Sequence, residues 1–106
     1  MTLHAVPKPQ KPVRGTVAAR EHMGLVAQLP CICCSTPSEV LHHAIHGRFA
    51  QRRASDMDVL PMCVRHHLML HGQPAAWRAA YGLDADFLPR IATAVARLRN
   101  ATIGGR

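Results

Sequence analysis

The stretch "CVRHHLMLHG", residues 63–72, decides the fold, because it places one cysteine and three histidines on a single predicted helix. Residues four apart in a helix share one face, whereas successive residues point about 100° apart. His67 and His71 are four apart and can hold one ion, while His66 points back toward Cys63. The helix therefore predicts two metal sites on two faces. The rival pairing of Cys63 with His67 is less favoured, since it leaves His71 without a partner.

The first site draws on the upstream sequence "CICC". Cys31 and Cys34 have the C-x-x-C spacing of a zinc knuckle, and Cys63 and His66 repeat that spacing. Together they predict a closed, tetrahedral Cys3His site for a structural Zn²⁺ ion. Cys33 remains an alternative to Cys34 as the ligand, although C-x-C knuckles are less usual.

The second site needs ligands beyond the two that the helix offers. His42 and His43 lie in a predicted strand, residues 39–45, and a second predicted strand covers residues 57–62. A third ligand from this pair would leave coordination positions open, which is typical of a catalytic metal. Strand alternation sends the two side chains to opposite sides, so both act at one site only if the strand bends, which Gly47 permits.

The predicted order is ligand knuckle, strand, loop, strand, ligand-rich helix and packing helices. This is an α+β fold: a small β-β-α unit with a structural zinc, flanked by helices. We expect a basic flexible arm over residues 1–15, a single domain over 16–100 and a frayed tail over 101–106.

The flanking helices are predicted from residues that start and stop helices. Residues 16–29 have helical spacing and end before Pro30, and Pro74 and Gly82 bracket a short helix. A last helix is predicted to be capped by Asp86. The apolar stripe of this last helix consists of Ile91, Val95 and Leu98. A core group is predicted near the helix junction and consists of Trp77, Tyr81, Phe87 and Leu88.

The charge of the chain indicates a polyanionic partner. Lys and Arg number 13 against 6 Asp and Glu, a formal net charge of +7, and arginine supplies 11 of the 13 basic residues. Arginine forks match phosphate geometry. No apolar run approaches the roughly 20 residues of a membrane span, and no secretory signal is evident. Cysteines that ligate metal rather than form disulfides fit a reducing compartment, so a cytoplasmic location is expected.

The motif set C-x-x-C, H-H and C-x-x-H-H-x-x-x-H resembles the HNH (β-β-α-metal) nucleases that carry a structural zinc. The segments "LPCICC", "EVLHHAIHG", "RRASDMDVLPMCVRHH" and "AAWRAAYGLDADFL" are similar to phage-borne recombination-enhancement, RecA-dependent nucleases. They span roughly residues 14–90. The resemblance implies a treble-clef-like fold and hydrolysis of DNA phosphodiester bonds.

The resemblance also implies roles for individual residues. His42 becomes a ligand of the catalytic ion and His43 the general base, while His67 and His71 match the helical ligands of Mg²⁺ or another divalent ion. The asparagine of the class is missing from "SDMDVLPMC". Asp58 has the expected offset before the helix, and Asp56 matches the related phage proteins better, so both stay open as the residue that orients the base.

Basic residues near the site are candidates for DNA phosphate contacts. Three follow the histidine pair in the loop between the strands and three lie in the arm: Arg48, Arg52 and Arg53, and Lys8, Lys11 and Arg14. The resemblance implies action in phage recombination, with a RecA filament as a partner, and a homodimer is one way for so small a domain to cut both strands. The alternative is a non-catalytic zinc-stabilised module that binds DNA or a recombinase.

Overall fold

The computed structural model describes residues 14–44 and 55–104. They form a small α+β fold with a two-stranded sheet and helices on either side, which confirms the predicted class. No helix in these two ranges is long and apolar enough to cross a membrane. The elements, in chain order, are α1 (Val17–Val26), β1 (Val40–His43), β2 (Val59–Met62), α2 (Val64–Gly72), α3 (Pro74–Tyr81), a 3-10 helix (Asp84–Phe87) and α4 (Leu88–Gly104).

The two strands pair antiparallel and lie inside the predicted ranges, each a little shorter than expected. Pro61 in β2 faces Leu41 in β1. A proline cannot donate to a ladder and is therefore confined to edge strands or strand ends. Among the described residues β2 is such an edge strand, with β1 as its one partner. The carbonyl of Pro61 accepts the amide N–H of Ile32 at 3.1 Å. The cysteine knuckle is therefore attached directly to β2.

Helix α1 begins at a capped position and ends earlier than its sequence pattern predicts. Thr16 is the N-cap, and its hydroxyl accepts the amide N–H of Ala19 at 3.0 Å. After Val26 the chain tightens, since Gln28 and Leu29 donate to carbonyls three residues back. This turn leads the chain into the knuckle.

The boundaries of the C-terminal helices agree with the predicted start and stop residues only in part. Pro74 starts α3 and Gly82, with φ of 88°, ends it, as expected. Asp86, the predicted cap of the last helix, lies instead inside the 3-10 helix that precedes α4. Helix α4 continues to Gly104, well into the segment predicted to fray.

Two buried clusters hold the fold together. The first lies between α1, the sheet and α4, and consists of Val26, Ala44, Val59, Leu60, Ile91 and Val95. The second surrounds the knuckle and consists of Cys31, Met62, Cys63, Leu70 and Trp77. Trp77 is fully buried, with the rings of Tyr81 and Phe87 at 5.1 and 6.2 Å, so these aromatic residues pack as predicted. Candidate metal ligands are thus part of the second core.

Candidate metal centres

The predicted Cys3His set comes together in space. One ligand atom each from Cys31, Cys34, Cys63 and His66 lies within 4.8 Å of all the others. The sulfurs of Cys34 and Cys63 are 3.8 Å apart, and Nδ1 of His66 is 3.2 Å from the Cys63 sulfur. Two sulfurs bound tetrahedrally to zinc at about 2.3 Å would be about 3.8 Å apart. The cluster therefore has the donor types and the spacing to bind a metal such as zinc.

The knuckle turn decides between the two candidate cysteines. Its backbone folds so that the amide N–H of Cys33 donates to the Cys31 sulfur at 3.4 Å, and Ser35, with φ of 63°, closes the turn by donating to the Cys31 carbonyl. This geometry brings Cys34 into the cluster and leaves Cys33 outside it. All four cysteines are free thiols, so no disulfide competes with metal binding.

The pKa values of the Cys33 and Cys34 thiols also favour Cys34 as the ligand. A hydrogen bond with the Thr36 hydroxyl, 3.0 Å away, lowers the pKa of Cys34 to about 6. Burial and the neighbouring Cys31 thiol raise the pKa of Cys33 to about 12. Because a metal binds the thiolate, Cys34 is prepared to be a ligand and Cys33 is not.

His66 has a second partner, Tyr81, which the sequence predicted only as a core residue. Its Nε2 lies 3.1 Å from the hydroxyl oxygen of Tyr81, at the end of α3. If Nδ1, which faces the Cys63 sulfur, binds a metal, Nε2 of the neutral ring carries the proton and can donate to that oxygen. Such an outer partner orients a metal-binding imidazole. The spacing of tryptophan and tyrosine in α3 predicted a core, and nothing in it indicated this hydrogen bond.

A second cluster consists of His42, His67 and His71, again with one ligand atom from each within 4.8 Å of the others. The Nε2 atoms of His67 and His71, on successive turns of α2, are 3.1 Å apart. The His42 ring lies 5.2 and 5.3 Å from theirs, centroid to centroid. Helix α2 thus contributes to both clusters, as its sequence predicted, and His66 rather than His67 joins Cys63.

The environment of His67 favours the form of its imidazole that binds a metal. Burial, and then the positive charge that His42 and His71 would carry, lower the pKa of His67 below its ordinary value. A lowered pKa keeps the ring neutral near physiological pH, and only a neutral imidazole offers a lone pair.

One ring nitrogen of His42 has a partner that the sequence did not reveal. Nε2 lies 2.8 Å from Oδ2 of Asp84, and both side chains are buried. Asp84 stands at the start of the 3-10 helix, far along the chain from β1. Its place in "GLDADF" follows a predicted helix end, but no spacing rule connects it to a histidine in a strand.

His43 lies outside the three-histidine cluster and pairs with Asp56. Its Nε2 is 2.9 Å from Oδ1 of Asp56, and its side chain is 35% exposed, whereas the preceding His42 is 3% exposed. The other carboxylate oxygen of Asp56 accepts the amide N–H of Gly15 at 2.7 Å. These two hydrogen bonds, the His43 bond first, lower the pKa of Asp56. Asp56 is therefore ionised and acts as an acceptor on both sides.

Asp58, the other aspartate considered, is not the partner of His43. It is exposed and lines a surface cavity of about 280 Å³ beside His22, Met57 and the start of α4. It lies two residues after Asp56, immediately before β2, and its amide N–H donates to the carbonyl of Ser55 at 3.0 Å. Of the two aspartates that the sequence left open, Asp56 is therefore the one whose carboxylate pairs with His43.

One of the six predicted phosphate contacts lies in the described part of the chain. Arg14 is exposed, and its charge helps to lower the pKa of Asp56, which places the guanidinium near the His43–Asp56 pair. The other five residues lie outside the described ranges: Lys8, Lys11, Arg48, Arg52 and Arg53.

The chain belongs to the family described as "Protein of unknown function (DUF968)", whose model matches residues 7–97. It is similar to "Uncharacterized protein YdfU" of Escherichia coli (strain K12), with 38% identity over 64 residues, which are 58% of this chain and 18% of that protein. The chain thus spans less than a fifth of the length of this curated relative. No solved structure matches it.

Proposed function

We propose that this protein is a metal-dependent DNA endonuclease of the HNH class, built on a treble-clef-like β-β-α-metal unit. One observation carries the proposal. Helix α2 contributes ligands to two separate clusters, a Cys3His set and a set of three imidazoles. The third imidazole, His42, comes from β1, and the next residue of that strand, His43, pairs with Asp56. A purely structural zinc domain needs only the Cys3His set.

The two donor sets differ in what they leave open. Four protein ligands fill a tetrahedral shell, whereas three neutral imidazoles leave positions for other molecules. A divalent ion bound there would polarise a phosphodiester and stabilise negative charge on the leaving oxygen. The neutral state of His67, favoured by burial, fits the ligand role.

His43 is suited to be the general base. The ionised carboxylate of Asp56 only accepts hydrogen bonds, so Nε2 of His43 carries the proton of the neutral ring. Nδ1 is then the nitrogen that takes a proton from an attacking water, while the water oxygen forms a bond to phosphorus and the bond to the leaving oxygen breaks. Half-exposure of the His43 side chain gives water and DNA access to it.

The charge of the chain supports a nucleic-acid substrate. Arg14 lies near Asp56, and the basic residues predicted to contact phosphate adjoin the same pair in sequence. Contacts of this kind are independent of base sequence and sensitive to salt. By resemblance, we extend the proposal to phage recombination in the host cytoplasm on DNA associated with a RecA filament, and to a homodimer.

A cleavage assay tests the enzyme, its substrate and its partner together. Plasmid and single-stranded DNA are incubated with the protein and Mg²⁺ or Mn²⁺, with and without RecA on the single strands. We expect cutting that EDTA stops, and a His43→Ala variant that binds DNA without cutting it. Full activity of that variant would refute the base assignment.

A second candidate is a non-catalytic zinc module that binds DNA or a recombinase. The observation in its favour is that the chain has a single asparagine, Asn100 in α4, so β2 lacks the asparagine of the HNH class. Metal analysis separates the two candidates. Two tightly held zinc ions per chain, with no cleavage under any divalent ion, would favour the module.

A further inference from the structure

We infer that Asp84 is a positioning residue of the three-histidine cluster, and that it presents Nδ1 of His42 to a bound metal ion. The inference deepens the proposed function and rests on the metal site proposed there. It assigns a role to a residue that is not itself in the ligand set.

The geometry of Asp84 leaves its carboxylate little freedom. The side chain is fully buried, with 0% exposure. One oxygen accepts the amide N–H of the next residue, Ala85, at 2.7 Å, and the other lies 2.8 Å from Nε2 of His42. The 3-10 helix therefore holds the carboxylate in one orientation, and the carboxylate holds the imidazole.

The hydrogen bond determines which nitrogen of His42 is left for a metal. A carboxylate accepts and does not donate, so Nε2 must carry a proton, and in the neutral ring the lone pair then lies on Nδ1. His67 and His71 turn their Nε2 atoms toward each other at 3.1 Å. The donor set that follows is Nδ1 from the strand histidine and Nε2 from the two helical histidines.

The negative charge of Asp84 has a second consequence. A carboxylate hydrogen-bonded to the far nitrogen of a metal-binding imidazole increases the basicity of the ligand and restrains its rotation. The Nε2–H group of His42 in turn gives the buried carboxylate a hydrogen-bond donor, without which its burial would be costly. The packing of the segment after α3 is thereby coupled to the site, since Phe87 in the same 3-10 helix contacts Trp77.

Metal binding at the second cluster can be measured without any cleavage assay. Protein that carries one zinc per chain is titrated with Co²⁺, and the dissociation constant is taken from calorimetry and visible absorption. Removal of an outer hydrogen-bond partner typically weakens binding about 10–100-fold, and we expect this for Asp84→Ala. Asp84→Asn should also weaken binding, because its single amide oxygen cannot accept from both Nε2 of His42 and the Ala85 N–H. Asp86→Asn, an exposed aspartate of the same 3-10 helix, should bind within twofold of the unaltered protein.

The tautomer of His42 provides an independent readout. Nitrogen NMR of the imidazoles, before Co²⁺ is added, should show the His42 proton on Nε2 in the unaltered protein and a mixture of tautomers in Asp84→Ala. Retention of one zinc and of the thermal transition verifies that a variant is folded. If Asp84→Ala does not fold, the NMR measurement on the unaltered protein and the Asp84→Asn titration remain decisive.

The outcomes distinguish this inference from the proposed function. A proton on Nδ1 of His42, or Co²⁺ binding by Asp84→Ala within twofold of the unaltered protein, would overturn the positioning role alone. Absence of any second Co²⁺ ion in the unaltered protein would overturn both the role and the metal-dependent function.

Discussion

Nε2 of His43 lies 2.9 Å from Oδ1 of Asp56, and the amide of Gly15 holds the other oxygen of that carboxylate at 2.7 Å. The segment that leads into α1 thus orients the aspartate, and the aspartate orients the histidine. Gly15 has φ of 69°, a backbone conformation that favours glycine, at the point where its N–H reaches Asp56. The pair is therefore built from three separate parts of the chain.

Asp56→Asn should reduce DNA cleavage strongly while DNA binding persists. An asparagine can turn its NH₂ group toward Nε2 and so favour the wrong tautomer of His43, and losses of about 10²–10⁴-fold accompany such changes in other His–carboxylate pairs. Cleavage rates with saturating divalent ion measure the effect. Asp58→Asn, which removes the same charge from an exposed position, is the matched control and should cut normally. Equal losses in the two variants would contradict the assignment of Asp56.

Cys34→Ser should abolish the folded state under conditions in which Cys33→Ser melts normally. The free energy of zinc binding by small structural sites is about 10–16 kcal/mol, comparable with or larger than the roughly 5–15 kcal/mol that stabilises a whole domain. Zinc content and the thermal transition of each variant are the measurements. Cys33 lies outside the cluster, so its replacement should change stability by no more than about 1 kcal/mol. Loss of zinc from Cys33→Ser would show that the knuckle uses the other cysteine.

Acid should destabilise the protein partly through His22. Burial, and then the Arg99 guanidinium, lower the pKa of His22, and its Nε2 has no hydrogen-bond partner among the described residues. As the pH falls, the unfolded chain takes up this proton first, at about pH 6.5. The contribution to stability is thus complete above that value and is lost as the pH falls through it toward the lower pKa of the folded state.

Denaturant unfolding at about pH 8 and about pH 5.5, on either side of the ordinary histidine pKa, measures this contribution. His22→Leu should lose less stability between the two conditions than the unaltered protein does. Arg99→Gln should shift the dependence in the same direction, since it removes one cause of the lowered pKa. Identical pH dependence in all three proteins would exclude His22 as a source.

Neutralising Arg48, Arg52 and Arg53 together should weaken DNA binding and flatten its salt dependence. Each lost phosphate contact reduces the slope of log affinity against log salt by about 0.7 for single strands and about 0.9 for duplex, so the slope should fall by about 2 to 3. Fluorescence anisotropy over a salt series provides the slope. A variant in which glutamine replaces the exposed Arg78, Arg90 and Arg97 removes the same charge from α3 and α4 and serves as the control. Equal slopes in the two triple variants would indicate only a general effect of net charge.

Local patterns in the sequence were sufficient for the elements and for most ligands. The spacing of Cys31 and Cys34 defines a turn, and the positions of His66, His67 and His71 within one helix assign them to faces. Such relations span at most about one helical turn, so the backbone geometry of a single element determines them. The ligand pairs within the knuckle and within α2 were predictable for this reason, as were the two strands and α3. The choice of His42 as the third ligand of the second cluster came from the family resemblance.

Tertiary structure alone decided the partners of the histidines. Asp84 reaches His42 across 42 positions in the sequence, Asp56 reaches His43 across 13, and Tyr81 reaches His66 across 15. Hydrogen bonds at these separations depend on how whole elements pack, and a period within one helix or strand carries no information about that packing. Only the tertiary structure could also decide between Asp56 and Asp58 as the partner of His43. The two aspartates have the same chemistry, and they differ only in which residues pack against them. The sequence thus indicated which residues could bind a metal, and the packing determined the hydrogen-bond partners that His42, His43 and His66 meet.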